Sequence, residues 1–184
     1  MLDGPVRREL SSLTIIIGVL MTVENDLYHR PPYLLIDNVV DCTEDYIHAE
    51  KKFTGTEFFF QGHFPNAPIL PGALMQEMTG QAAGILIARH HNPLGEDYDT
   101  NNFDPERPAL GVLSRIKDAK FKSFAKPSDE LVVKVKLIEK VHHAIEFTGT
   151  ITKKSTGHTS TGEGELIMKN RFLLTNVPSR MLLS

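Results

Sequence analysis

The period of the hydrophobic pattern changes along the chain. Residues 33–40 (YLLIDNVV) form a short apolar run of strand length. Residues 46–53 set Ile47, Ala49 and Phe53 among polar neighbours, a rough alternation that predicts a half-exposed strand. Pro31-Pro32 breaks any helix before them, and residues 54–70 are expected to be irregular. From Pro71 to about His91 the pattern is helical. Leu74, Met75, Met78, Ala82, Ala83, Ile85, Leu86 and Ile87 lie all round the axis, which places this helix in an interior. Pro71 suits the first helical position, where its missing N–H costs nothing. Glu77, Gly80, Gln81 and Gly84 share one small, polar ridge at i, i+3, i+4 and i+7. Packing on a sheet accounts for the glycines but not for a carboxylate within an apolar helix.

Residues 92–108 are polar and hold Gly95, Pro93 and Pro105, as a long surface loop would. The strand period then returns over residues 109–124, 130–139, 144–153 and 158–168, with turn signals at 126–129 and 154–157. Residues 170–184 have no clear periodicity. Strands, one buried helix, then more strands predict an α+β chain with an antiparallel sheet wrapped around one long central helix. The expected organisation is an N-terminal extension over 1–26, one domain over 27–169 and a tail over 170–184.

Composition narrows the function classes. At 184 residues, 41% hydrophobic and 23% charged, the chain fits one globular domain of ordinary size. A formal charge of −3 argues against a general nucleic-acid binder. The single Cys42 excludes an intrachain disulfide and a cysteine-based metal cage. The histidine pairs His90-His91 and His142-His143 are adjacent, so their side chains diverge, and no metal site is expected. The apolar run at 13–21 is far short of the ~20 residues that span a bilayer. It follows Arg7-Arg8, as a secretory signal would, but Asp3 and Glu9 precede it and no small-residue cleavage site follows cleanly. A packed N-terminal segment is the expectation, with Met21 as an alternative start and a cytoplasmic location.

The chemistry concentrates in Gly62-His63-Phe64-Pro65-Asn66-Ala67-Pro68-Ile69-Leu70-Pro71-Gly72-Ala73-Leu74-Met75-Gln76-Glu77. A histidine titrates near neutrality when unperturbed and suits a base. A carboxyl among apolar groups such as Ala73 and Met78 is expected to have a raised pKa and to suit an acid. Between them, the Gly72 N–H opens a helix and carries the positive end of its dipole. Base, acid and helix N-terminus are the parts needed to remove a proton beside a carbonyl and expel a hydroxyl.

On these residues the chain resembles the 3-hydroxyacyl-[acyl-carrier-protein] dehydratases of the FabZ type, in the FabA/FabZ group of the hotdog fold. Residues 28–37 are similar to that family's entry segment, 63–81 to its active-site signature, and 119–129 to a later strand and turn. The resemblance implies dehydration to a trans-2-enoyl product in fatty-acid or related acyl-chain synthesis. It implies His63 as the base, Glu77 as the acid, Gly72 as the donor to the thioester oxygen and Gln81 as the residue that steadies the acid. It implies no cofactor beyond the phosphopantetheine that carries the substrate. It also implies a homodimer whose sites each take the histidine from one subunit and the acid from the other; trimers of such dimers are common in the family. Asn66 stands where the family usually has glycine, which predicts positive φ there. Lys120, Lys122 and Lys126 offer charge complementarity to an acidic carrier protein, or form a solvated strand face. Two other classes stay open: hotdog thioester hydrolysis and a non-catalytic partner subunit.

Overall fold

The computed structural model describes residues 22–101, 104–106, 108–154 and 164–182. The run at 13–21 and the turn signal at 155–157 therefore lie outside the described residues. A short helix α1 (Val23–Asp26) precedes strands β1 (Asn38–Cys42) and β2 (Tyr46–Lys52). Helix α2 (Phe58–Gly62) and the central helix α3 (Gly72–Leu86) follow, the latter continued by one π-helical turn, Ile87–His91. Four long strands complete the sheet: β3 (Pro108–Phe121), β4 (Glu130–Val141), β5 (Ala144–Lys153) and β6 (Leu166–Pro178). The order is β1-β2-β4-β5-β6-β3, and every neighbouring pair is antiparallel. This sheet curls around α3, the expected hotdog arrangement.

Alternation in the strands builds the inner face. Ile47 and Ala49 on β2, Leu131, Val133 and Val135 on β4, and Ile145, Phe147 and Ile151 on β5 are all buried. Lys134 and Lys136 point to solvent from the same β4. Against this face α3 lays Met75, Met78, Ala82, Ile85 and Leu86. Pro71 is the N-cap rather than the first helical residue, because its carbonyl accepts the first helical bonds, from Leu74 and Met75.

Three expectations are corrected. Residues 33–37 are buried at Leu35 and Ile36 but do not begin a strand. The Leu35 N–H and the Tyr33 carbonyl are both bound by the Gln81 side chain instead of a neighbouring strand. Residues 58–62 are helical, driven by the packing of Phe59 and Phe60 edge-on to Phe53. The last strand begins at Leu166 and runs on through Pro178. Its inward residues include the polar Asn170, while Leu173 and Val177 face partly outward, and that mixture hid its alternation.

Among the described residues, no further strand pairs with the two sheet edges, β1 and β3. β3 presents Leu113, Ile116 and Phe121 to solvent along a 14-residue edge. Glycine is required at two places in this core. Gly149 faces Thr79 of α3, where any side chain would collide. Gly111, at φ 70°, lets the β3 backbone approach Gly84 of α3, with only 3.6 Å between the position of a Cβ at residue 111 and Gly84 Cα.

Candidate active site

His63 caps the end of α2, its N–H bonded to the Phe59 carbonyl. The following loop folds back so that the Ile69 N–H donates to the His63 carbonyl at 2.8 Å. Asn66 makes the reversal at φ 64°, as its position predicted. The ring is fixed by the same residue: His63 Nδ1 lies 3.0 Å from the Ile69 carbonyl oxygen. A carbonyl can only accept, so Nδ1 carries the proton in that bond, and Nε2 of the neutral ring keeps its lone pair. Phe64 stacks on the imidazole, ring centres 4.2 Å apart.

Glu77 lies on the second turn of α3, partly buried. Its surroundings differ from the expected apolar ones. Met78 is turned into the core and Ala73 is exposed. The neighbours of the carboxylate are polar: Gln81 Nε2 donates to Oε1 at 2.9 Å, and His29 Nε2 is 3.4 Å from the same oxygen. Tyr33 also faces it. Burial first, then the charge of Glu77 and a hydrogen bond to it, raise the pKa of the Tyr33 phenol. Gln81 is 1% exposed and fully used, since Oε1 accepts from the Leu35 N–H at 2.8 Å and Nε2 also reaches the Tyr33 carbonyl at 2.8 Å.

Gly72 is the first residue of α3, so its N–H is among those with no acceptor inside the helix. A Cβ there would stand 3.0 Å from the ring of Phe121, which roofs the helix start from the end of β3. Lys120, Lys122 and Lys126 flank that ring in sequence and are all exposed. Lys120 is paired with Asp118 at 3.3 Å. Glu77 and Gln81 are thus brought together, and Gly72 opens the same helix. Within one chain, no described hydrogen bond or ion pair links His63 to Glu77.

His29 and Tyr33 are the neighbours of Glu77 that the sequence did not reveal. Their only legible signal was their place in a segment similar to the family's entry segment. The two rings stack, centres 6.0 Å apart. The His29 pKa is lowered, chiefly by burial, with the Glu77 carboxylate opposing and the Arg30 guanidinium adding to the shift. Its Nδ1 is buried without a partner among the described residues, so a charged ring would bury an unsatisfied N–H.

Residues 27–155 match the family model of the FabA-like domain, with all four of His63, Gly72, Glu77 and Gln81 inside the matched span. The chain belongs to the FabA-like family. Among similar proteins is a 3-hydroxyacyl-[acyl-carrier-protein] dehydratase FabZ of Thiobacillus denitrificans, 39% identical over 124 residues, covering 67% of this chain and 79% of the relative. The FabZ of Petrotoga mobilis is 35% identical over 126 residues, covering 68% and 81%. Among solved structures, the dehydratase heterocomplex ApeI:P from Xenorhabdus doucetiae superposes on this FabA-like chain with a TM-score of 0.68 at 18% identity, over 89% of this chain and 95% of that one. A hypothetical thioesterase from Streptococcus pneumoniae gives 0.52 at 11% identity, over 78% and 87%. At such identities these two likenesses establish the hotdog fold alone.

Two outcomes follow from this geometry. Gln81→Leu is expected to lower stability by about 2 kcal/mol, because the buried Leu35 N–H is left without a partner and the Tyr33 carbonyl loses one as well. Chemical denaturation would measure it. The second concerns pH. Below about 6.5 the unfolded chain protonates its histidines, whereas folded His29 resists protonation. Its contribution is therefore fully present above that pH and is lost as pH falls through the lower, folded value. Melting temperatures from pH 8 to pH 5 should decline, and His29→Gln should make the decline shallower. His48, also lowered mainly by burial, adds to the decline in the same direction.

Proposed function

We propose that the chain dehydrates 3-hydroxyacyl thioesters borne on acyl carrier protein to trans-2-enoyl thioesters, in fatty-acid or related acyl-chain synthesis. The observation that carries this is the FabA-like match over residues 27–155, which contains His63, Gly72, Glu77 and Gln81, together with the 39% identity to a FabZ dehydratase. His63 Nε2, left bare by the Nδ1 bond, takes the C2 proton. Negative charge gathers on the thioester oxygen, which receives the Gly72 N–H at the positive end of α3; one such donor is worth about 3 kcal/mol in other oxyanion sites. Glu77, steadied by Gln81, gives its proton to the C3 hydroxyl, which leaves as water. His63 then holds the C2 proton and Glu77 is ionised, so one proton passes between them before the next turnover.

The proposed assembly is a homodimer, with each site shared between subunits. The long apolar edge of β3, unpaired among the described residues, supports it, since such an edge is a template for pairing. That no described hydrogen bond or ion pair joins His63 to Glu77 within one chain supports it too. Lys120, Lys122 and Lys126 are assigned to carrier docking on their exposure, the first two on either side of Phe121 in sequence. The phosphopantetheine arm comes with the substrate.

The test is incubation of the purified protein with 3-hydroxyacyl carrier and coenzyme A thioesters of several lengths, followed by mass spectrometry. Loss of water is expected, with the carrier form preferred and that preference weakened by added salt. Free thiol without an enoyl product would make the chain a hydrolase. Inactivity alone, with activity recovered on adding a second hotdog chain, would make it a partner subunit.

A further inference from the structure

We propose that Tyr98 and Thr100, on the loop after α3, are positioning residues for Glu77, which they serve by clamping residues 24–30 so that His29 is held against the carboxylate. The inference rests on Glu77 being the acid of the proposed reaction. Residues 22–30 contain one helical turn and no strand pairing. A single turn does not hold its own place, so external bonds must fix this segment.

The loop supplies those bonds. The Tyr98 hydroxyl donates to the Asp26 carbonyl at 2.7 Å, and its ring meets Tyr28 edge-on at 5.7 Å. Thr100, 6% exposed, donates from Oγ1 to the Glu24 carbonyl at 2.7 Å. The link to the site runs through Arg30. Its Nη2 donates to the Thr100 carbonyl at 2.9 Å and to Asn101 Oδ1 at 3.1 Å. Its Nη1 donates to the Leu27 carbonyl at 2.6 Å and to the carbonyl of His29 itself at 2.9 Å. One planar guanidinium therefore joins the loop to the residue whose imidazole stands 3.4 Å from Glu77. On the other side, Asp26 takes a two-pronged bond from Arg89 at 2.7–3.2 Å, so the turn is held to the end of the central helix as well. Neither Tyr98 nor Thr100 has a described bond to Glu77, His63 or Gln81, so both act on the acid through the segment.

The experiment uses the full chain carrying Tyr98→Phe and Thr100→Val together, compared with Thr100→Ser. Three quantities are read: kcat and KM on a 3-hydroxyacyl carrier substrate, the melting temperature, and the rate at which diethyl pyrocarbonate modifies His29 without substrate, resolved by mass spectrometry. The expected result is a kcat lowered about tenfold with KM changed by less than about twofold, as for a misplaced group rather than a lost binding contact. His29 should be modified several-fold faster, and Thr100→Ser, which keeps the hydroxyl, should behave as the parent in both respects. An unchanged kcat alongside a lowered melting temperature would make the loop merely structural and overturn the inference. A lowered kcat with unaltered His29 modification would also overturn it, because the effect would not pass through His29. If the parent protein showed no dehydration, the reading of Glu77 would fail separately. The modification rates would then still decide whether the loop holds His29, with equal rates in parent and variant refuting the clamp.

Discussion

His63→Ala and Glu77→Gln are each expected to lower dehydration by about 10²–10⁴-fold while leaving the melting temperature close to the parent value. The reason is specific to how each group is held. His63 is fixed through Nδ1 to the Ile69 carbonyl, so its loss removes a base aimed by its own loop. The loop keeps its backbone bonds between residues 63 and 69 and between Leu70 and Ala125. Glu77→Gln keeps shape and keeps an oxygen for Gln81, but has no proton of suitable acidity to give. Steady-state kinetics on the two variants checks this; near-full activity in both would remove the proposed mechanism. Mixing the variants tests the assembly. If each site takes base and acid from different subunits, half of randomly mixed dimers join one chain of each kind, and each of these has one intact site. Activity should then return to about a quarter of the parent value. If both groups come from one chain, mixing returns nothing.

Gly149→Ala is expected to cost about 3 kcal/mol, toward the upper end for overpacking a core. Gly149 on β5 is paired with Asn170 on β6 and covered by Thr79 of α3. A Cβ there would fall on Asn170 Oδ1 and come within 2.8 Å of Thr79 Cγ2. The amide cannot simply turn aside. Its Nδ2 donates to Gln76 Oε1 at 2.6 Å and to Thr79 Oγ1 at 2.7 Å, and all three side chains are buried. The melting temperature should fall by about 10 °C. Asn170→Ala removes the obstructing oxygen at its own cost, so the double variant should be more stable than the sum of the two single losses. Strict additivity in that cycle would show that the two residues do not obstruct one another.

The central helix and the His63–Glu77 block were legible because each rests on local rules. The helix shows as a full apolar circumference, and the block as a fixed spacing around Pro71-Gly72. The positive φ at Asn66 was legible through the family resemblance, since glycine usually stands at that position and asparagine tolerates the same backbone. Strands β2, β4 and β5 were readable from alternation alone. What escaped depends on partners distant in sequence. Leu35 and Ile36 look like strand residues, but the Gln81 side chain takes the bonds a strand would have made. Asn170 faces inward because Gln76 and Thr79 await it, about ninety residues away. His29 meets Glu77 from a segment that Arg30 ties to a loop some seventy residues further on. No window of sequence contains both ends of such a contact.

The Asp26–Arg89 pair bears on where this domain truly starts. Family similarity begins at residue 27, one position too late to include Asp26. A protein trimmed to that boundary would lose Asp26 and leave the Arg89 guanidinium without its counter-ion. A border drawn by homology alone would thus part Arg89 from the carboxylate that neutralises it.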